Sequence, residues 1–274
     1  MIDRSVRKAR NASTTPLLSM IDGSVSAHAR HAALPSQTNG CTASVYETRW
    51  TKRVAPTTIV PMATKHWPLF DLRIMSERLV LRPLTDDDFD AMIGAIDAGI
   101  HNPDQSPFLF QWADEEPVQR ARSALQYWWG RRSSWTAADW ALGFGVWLEG
   151  RLIGVQEVEA KQFLVLREVS TGSWLTQSVQ GQGIGKEMRA AVLWFAFASL
   201  GAEFARTAAF ADNAASLGVT RHIGYHENGR ERHVNRGAAA ETIRFTISRA
   251  EFAARAFPTI RVENLGPCLP MFGL

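Results

Sequence analysis

Residues 174–187 read WLTQSVQGQGIGKE, in which a strand-like segment runs into a glycine-dense turn. Ile184 then begins a long segment with apolar residues at helical spacing. Glycines carry no side chains, so several backbone N–H groups of such a turn can point at one anion. The amino end of the following helix adds partial positive charge at the same place. The stretch therefore predicts a phosphate-binding turn between a strand and a helix.

Two common phosphate-binding motifs do not fit this turn. A P-loop requires Gly-Lys followed by Ser or Thr, whereas Glu187 follows Lys186, so the hydroxyl that would hold magnesium is missing. A dinucleotide-binding fingerprint, Gly-x-Gly-x-x-Gly, is one residue longer than the spacing of Gly181, Gly183 and Gly185. The turn also follows several predicted strands, whereas the fingerprint belongs to the first one. We exclude a P-loop NTPase and a Rossmann domain.

The segments on either side of the turn predict one mixed α/β domain. Apolar residues alternate in some segments and recur at helical spacing in others, with Gly and Pro at the turns between them. Strands are predicted at 79–84, 142–148, 152–159, 168–175, 204–210 and 241–248, and helices at 89–96, 115–135, 184–200 and 213–223. A further hairpin strand is predicted near Arg230, Arg232 and Arg236, which we interpret as a solvated face.

The first 66 residues differ in composition from the rest of the chain. They hold nine basic and three acidic residues, a net charge of +6, whereas the whole chain carries +3 and the remainder therefore −3. They lack a sustained hydrophobic period, so we predict a disordered basic extension over 1–66, a domain over 67–257 and a C-terminal tail over 258–274. A transit peptide and a start codon set too early, with Met62 or Met75 beginning the folded part, are the alternatives.

Composition also excludes several classes of protein. No segment approaches the roughly eighteen uninterrupted apolar residues of a membrane span. Two cysteines, Cys41 and Cys268, exclude a disulfide scaffold. His222 and His226 have zinc-ligand spacing, but Gly224 interrupts their helix and no third ligand is near. We expect no metal, no membrane contact and a cytoplasmic location. Nucleic acid is an unlikely partner for the domain, because the excess positive charge lies in the extension.

The glycine-dense turn resembles a known signature. Gln180, Gly183 and Gly185 follow the pattern Gln/Arg-x-x-Gly-x-Gly/Ala, which is the acyl-coenzyme A signature of the GNAT acetyltransferases. Asn213 and Ser216, which open the helix before Gly224-Tyr225, resemble the second signature of that family. With the strand Gly-Ser-Trp-Leu over 172–175, the pattern looks most like the RimJ/RimL type of ribosomal-protein N-terminal acetyltransferase. The resemblance spans about residues 76–250.

The resemblance implies a fold and a donor site. The expected fold is a single domain of mixed α/β (α+β) class, with a central, mostly antiparallel sheet of about seven strands and about four flanking helices. Its two central strands splay apart, and the acyl thioester of acetyl-CoA enters the gap. The implied donor-binding residues are Trp174 and Leu175 beside the pantetheine, and Gln180, Gly181, Gln182, Gly183, Ile184, Gly185 and Lys186 around the diphosphate.

The resemblance also implies catalytic roles. Asn213 would bond the pantetheine arm, and Ser216, one turn later, would protonate or hydrogen-bond the leaving thiolate. Many family members use a tyrosine seven residues after the asparagine, where this chain has Thr220. This departure favours Ser216 and leaves open whether a side-chain acid is needed. Glu168 is the first candidate for a general base and Glu157 the second.

The acceptor in such a reaction is a neutral primary amine. Neutralising a lysine at pH 7 costs roughly 4–5 kcal/mol and an α-amine about 1 kcal/mol. A protein N-terminus is therefore our first expectation, followed by lysine and then by an amino acid or an aminoglycoside-like molecule. The loop that carries His101, Asp104, Phe108 and Trp112 would line the acceptor pocket. A non-catalytic acyl-CoA sensor, a ribosome-associated role for the extension and a homodimer remain open.

Overall fold

The computed structural model describes residues 65–274, so nearly all of the predicted N-terminal extension lies outside the described residues. Nine strands in this part of the chain form one sheet, in the order β7-β8-β6-β5-β4-β3-β2-β1-β9. All neighbours are antiparallel except the parallel pair β5–β6. The strands are β1 Arg73–Met75, β2 Leu79–Pro83, β3 Trp140–Leu148, β4 Arg151–Ala160, β5 Glu168–Leu175, β6 Phe204–Phe210, β7 His226–Asn235, β8 Ala238–Ser248 and β9 Arg261–Glu263.

Within residues 65–274, six α-helices accompany the sheet. The predicted positions of the four long helices are confirmed to within a few residues, and two short helices are added. They are α1 Phe89–Asp97, α2 Pro117–Ser133, α3 Phe163–Leu166, α4 Ile184–Trp194, α5 Ala214–Ile223 and α6 Arg249–Ala253. A π-helical turn over Phe195–Ser199 extends α4 to the predicted length. None of the described helices combines the length and the apolar character that a bilayer span requires.

The predicted fold class is confirmed, but seven strands is too low a number. The two additional strands, β1 and β9, have three residues each, which is too short for a hydrophobic period to be visible. β9 pairs with β1, and a 3₁₀ segment over Gly266–Phe272 follows it. Cys268 and Phe272 of this segment are fully buried. Much of the stretch that the sequence analysis sets apart as a tail is therefore packed on the sheet.

The sheet carries a hydrophobic cluster on each face. Trp174 joins the cluster formed with α1 and α2, whereas its neighbour Leu175 joins the cluster formed with α4. Consecutive strand residues point to opposite faces, so the two helix layers lie on opposite sides of β5. The carboxyl end of β5 is thereby fixed from both sides.

The parallel pair β5–β6 separates part-way along its length. Backbone pairing covers only three positions and ends at Ser170 and Arg206, although β5 continues to Leu175 and β6 to Phe210. Two hydroxyls continue the contact for one further step. Thr171 Oγ1 donates to the Arg206 carbonyl at 3.3 Å, and Thr207 Oγ1 donates to the Thr171 carbonyl at 3.0 Å. The predicted splayed central pair is thus confirmed, and we call this opening the fork.

The packing of the C-terminal segment is tested with Phe272→Ala. The Phe272 ring lies 4.9 Å from that of Trp140 and 5.5 Å from that of Trp135, measured between centroids. Removing a buried ring of this kind is expected to lower the free energy of unfolding by about 3–5 kcal/mol. The control is Leu274→Ala, at a side chain that is 39% exposed. Equal denaturant midpoints for the two variants would contradict the packing.

Candidate active site

The glycine-dense turn joins the end of β5 to the start of α4. Gly181 and Gly183 have φ values of +74° and +81°, which L side chains rarely adopt. Gly183 precedes the helix, and its carbonyl accepts the bonds from the N–H groups of Lys186 and Glu187, both at 3.1 Å. The N–H groups earlier in the turn have no preceding helical turn to bond to. The turn therefore presents donors at a positive helix end.

The polar side chains of the turn brace it. Gln180 Nε2 donates to the carbonyls of Ile100 and Leu175, each at 2.9 Å, which ties the turn to β5 and to the segment after α1. Gln182 Nε2 donates to the Ser178 carbonyl at 3.0 Å, and Ile184 is buried in the core. These side chains hold the shape of the turn. The N–H groups of Gln180 and Lys186 bond to the carbonyls of Gln177 and Gly183, so the N–H groups between them are the ones left for a ligand.

Arg78 is a residue beside the turn that the sequence analysis did not identify. Its guanidinium donates to the Gln182 carbonyl at 3.2 Å and pairs with Glu187 at 2.6 Å. Bonds from Ser76 and Arg78 hold the pKa of Glu187 below its usual range, despite partial burial. Arg78 lies about a hundred residues before the turn in sequence, so no local motif could have revealed it. It adds positive charge next to Gly183.

A cavity of about 680 Å³ lies in the fork. The turn, β5, β6, α4 and α5 form one part of its wall, and the segment after α1 with β4 forms the rest. The structure brings together at this wall the predicted residues Glu157, Trp174, Leu175, Gln180, Gly181, Gly183, Gly185, Lys186, Asn213 and Ser216. Gln182, Ile184 and Glu168 do not line the cavity.

Asn213 and Ser216 lie at the start of α5. Asn213 Oδ1 accepts a bond from the Ser216 N–H at 3.0 Å, so the asparagine caps the helix and also lines the cavity. Ser216 is half-buried and faces the same space. Thr220, at the position where many relatives have tyrosine, is buried and does not line the cavity.

Two carboxylates on β4 line the cavity from the side of α2. Glu157 is 1% exposed and accepts bonds from Tyr127 Oη at 2.8 and 3.0 Å and from Arg131 Nε at 3.0 Å. Arg131 also pairs with Glu159. Burial raises the pKa of both carboxyls, and the nearby charge of Glu157 helps to raise that of Glu159 to about 7. One arginine thus pairs with two buried acids, and the pKa of Glu159 allows it to exchange a proton near neutral pH.

Glu168, the first candidate base from the sequence, lies elsewhere. It begins β5 at the end farthest from the turn and pairs with Arg206 at 2.6 Å. Burial raises the pKa of Glu168, and Arg206 opposes that shift. Strand alternation in the sequence could not show whether Glu168 or Glu157 faces the cavity. The contacts of Tyr127 and Arg131 with Glu157 on β4 depend on how α2 packs against the sheet. The structure does not bring Glu168 to the cavity.

The loop between α1 and α2 forms part of the cavity wall. His101 and Phe108 line the cavity, whereas Asp104 and Trp112 do not. The loop is fastened to the β7–β8 hairpin, because Arg236 makes a bidentate pair with Asp114 at 2.8 and 3.1 Å. Asn235 Nδ2 also donates to the Ser106 carbonyl at 2.9 Å. Arg236, which the sequence analysis expected on a solvated face, therefore fastens the hairpin to the loop. We call the pair of Arg236 and Asp114 the latch.

Arg189 is a second residue that the sequence analysis did not identify. It extends from α4 to the base of the fork and is 4% exposed. Its three nitrogens donate to Gln156 Oε1 at 3.3 Å, Thr207 Oγ1 at 3.2 Å and Ser173 Oγ at 3.0 Å. Burial lowers the pKa of this guanidinium. It connects β4, β5 and β6 where β5 and β6 separate.

The described part of the chain offers no cluster of three or more His, Cys, Asp or Glu side chains that could hold a metal ion. The donors that surround the cavity are backbone N–H groups, hydroxyls and guanidinium groups, which suit an anionic organic ligand. The carboxylates lie on the opposite side of the cavity from α4. The arrangement can bind a diphosphate at the turn and accept a proton at β4.

Comparison with known proteins agrees with this arrangement. The acetyltransferase (GNAT) domain family matches residues 78–226. RimJ of Mycobacterium smegmatis, solved with a coenzyme A disulfide, superposes with a TM-score of 0.55 at 20% identity, over 73% of this chain and 91% of that one. A RimL enzyme that acts on ribosomal L7/L12, solved with coenzyme A, gives 0.52 at 16% identity, over 63% and 95%.

A third solved structure has a different acceptor in its name. A spermidine N-acetyltransferase SpeG chimera from Vibrio cholerae and human SSAT gives a TM-score of 0.53 at 16% identity, over 65% of this chain and 100% of that one. At these identities the solved structures establish the fold, and the family match covers more than half of the chain. The chain belongs to the GNAT acetyltransferase family and is an acyl-CoA-dependent N-acetyltransferase.

Proposed function

We propose that the enzyme transfers an acetyl or other short acyl group from acyl-CoA to the α-amine of a protein or peptide. The amine attacks the thioester directly in a ternary complex, without a covalent enzyme intermediate. The observation that carries the proposal is the position of the fork. It separates a donor side with N–H groups and cations from an acceptor side with two buried carboxylates. RimJ and RimL relatives make a protein N-terminus the first acceptor to test.

The donor side has the chemistry that an acyl-CoA requires. The backbone from Gln180 to Lys186 would hold the diphosphate at the start of α4, with Arg78 adding positive charge. The polar edges of β5 and β6 past Ser170 and Arg206 are free of strand pairing. Amide groups of a pantetheine arm can bond to such edges. Trp174 and Leu175 would lie beside that arm.

The acceptor side has a base suited to an α-amine. Glu157 would take the proton from the ammonium or the attacking nitrogen, directly or through water, with Glu159 sharing the charge of Arg131. Whatever the pKa of this base, a lysine ammonium has a pKa about 2.5 units above that of an α-ammonium and gives up its proton correspondingly less readily. Proton transfer from lysine would therefore cost about 3 kcal/mol more, since one pKa unit is about 1.4 kcal/mol.

The remaining groups serve the leaving group and the approach of the acceptor. Ser216, which lines the cavity, would donate a hydrogen bond to the departing sulfur, and Asn213 would contact the pantetheine arm. The latch between Arg236 and Asp114 holds the loop over the acceptor side. An acceptor would therefore enter end-on, as a chain terminus can.

A competition experiment tests the acceptor. Acetyl-CoA is incubated with the full chain and an equimolar mixture of a free N-terminal peptide without lysine, an N-acetylated peptide with one lysine, and spermidine. We expect most acetyl groups on the peptide N-terminus, read by mass spectrometry. Predominant acetylation of lysine or spermidine would overturn the acceptor assignment. If the chain binds acetyl-CoA but releases no free coenzyme A thiol with any amine of a wider panel, the sensor alternative is favoured.

The diphosphate site is tested with Gly183→Asp against Gly183→Asn. Both side chains have the same size, and both tolerate the left-handed backbone conformation of Gly183 better than most residues do. Only Asp brings a negative charge to the diphosphate. We expect acetyl-CoA to bind Gly183→Asp at least tenfold more weakly than Gly183→Asn, about 1.4 kcal/mol, measured by calorimetry. Equal affinities would exclude a diphosphate at this position.

The general base is tested by changing each of the two candidates separately. Glu157→Gln keeps the shape of the side chain and removes its basicity, so we expect kcat to fall by about 10²–10⁴-fold. Glu168→Gln makes the same change outside the cavity, where Glu168 pairs with Arg206, and is expected to retain kcat within about twofold. Thermal unfolding of both variants checks that they are folded. A larger loss in Glu168→Gln than in Glu157→Gln would assign the base to Glu168.

A further inference from the structure

Arg189 is a buried cation with only neutral partners. Its contacts are the amide of Gln156 and the hydroxyls of Ser173 and Thr207. The hydroxyl of Tyr225 lies buried beside the guanidinium and interacts with it, but it too is neutral, because burial raises the pKa of Tyr225. The ion pairs of residues 65–274 include none with Arg189, although they include most of the other buried charges. A guanidinium therefore stands at the base of the fork without a counter-charge.

The unpaired charge of Arg189 faces the donor cavity. Arg189 lines the cavity together with Thr171, Ser173 and Thr207, which mark the point where β5 and β6 separate. Gln156, Thr207 and Ser173 use three of its five N–H donors and Tyr225 lies beside the guanidinium, so at most two donors remain for a ligand. Burying a charged group without an opposite charge is costly, and chains usually pair such groups. The missing counter-charge is thus expected from a group that occupies the cavity during function.

The diphosphate is not that counter-charge. Arg189 comes five residues after Ile184, the first residue of α4, so it lies roughly 7.5 Å along the helix axis from the turn. The carboxylates Glu157 and Glu159 are already paired with Arg131, on the face of the sheet that packs against α2. An acyl-CoA whose diphosphate lies at the turn would carry its sulfur from the turn toward the base of the fork.

We propose that Arg189 stabilises the negative charge that develops on the coenzyme A sulfur when the thioester is cleaved. This inference rests on the acyl transfer set out above. The amine nitrogen forms a bond to the carbonyl carbon, the carbon–sulfur bond breaks, and its electron pair stays on sulfur as a thiolate. The amine proton goes to the carboxylate at β4. The thiolate then pairs with the guanidinium of Arg189, while Ser216 donates a hydrogen bond.

The proposal accounts for Thr220. The tyrosine that many relatives have at this position can give a proton to the leaving sulfur, and Thr220 is buried away from the cavity. If positive charge stabilises the thiolate, full protonation of sulfur during the reaction is not required. Electrostatic stabilisation of a developing charge by a fixed group in a site with little water is an effective form of catalysis.

The test measures binding of free coenzyme A and of acetyl-CoA to the full chain by calorimetry between pH 6 and 9, without any acceptor. Both ligands meet the same titratable groups of the cavity, namely Lys186, Glu157, Glu159, His101 and the nearby Tyr225. The ratio of the two affinities therefore reports the thiol of coenzyme A, an alkyl thiol whose ordinary pKa lies above the value of about 8.5 for a cysteine side chain. We expect this ratio to rise at least tenfold in favour of coenzyme A across this range. A ratio that does not change with pH would overturn the proposal.

Variants assign the effect to Arg189. Arg189→Gln is expected to abolish the rise in the ratio, and Arg189→Lys to retain part of it. The matched control is Arg206→Gln, which removes an arginine that pairs with Glu168 on the neighbouring strand, and the rise should persist there. A rise that is unchanged in a folded Arg189→Gln protein would assign the charge to another group. Because no acceptor is present, these outcomes are independent of which amine the enzyme uses.

Discussion

The site depends on one interruption of backbone pairing. β5 and β6 bond to each other only as far as Ser170 and Arg206, and beyond that point their polar edges face a cavity. Exposed strand edges require hydrogen-bond partners, and the hydroxyls of Thr171 and Thr207 supply them at the point of separation. Arg189 fills the space just beyond. The separation of β5 and β6 is thus stabilised by side chains that bond to both strands.

The sheet also separates charge. On the side of α4 and at the turn lie the cations Arg189 and Lys186, with Arg78 beside the turn paired to Glu187, whereas Glu157 and Glu159 face α2. In the proposed reaction, an anionic donor and a cationic acceptor amine would therefore be attracted to opposite sides of the cavity. Arg131 limits the negative charge on the acceptor side, because it is shared by both carboxylates. Each reactant of the proposed reaction can reach the fork from its own side of the sheet.

Sequence reasoning succeeded where the physical signal was local. The glycine-dense turn, α4 and the alternation over β3–β5 all depend on residues that are close in the chain, so their positions agree with the structure. It failed for β1, β9 and the 3₁₀ segment after β9, since three-residue strands carry no measurable period. The burial of Phe272 in that 3₁₀ segment depends on Trp135 and Trp140, which lie more than a hundred residues earlier in the chain.

The sequence by itself determined the class of fold, the donor turn and the family, because glycine spacing and helical periodicity are properties of short segments. Only the tertiary structure decided which glutamate faces the cavity, since alternation allows either face and the packing of α2 over β4 selects Glu157. It also placed Arg189 at the wall of the cavity and Arg78 beside the glycine-dense turn. These side chains act across distances that no spacing in the chain encodes, and their chemistry is fixed by which strands and helices become neighbours.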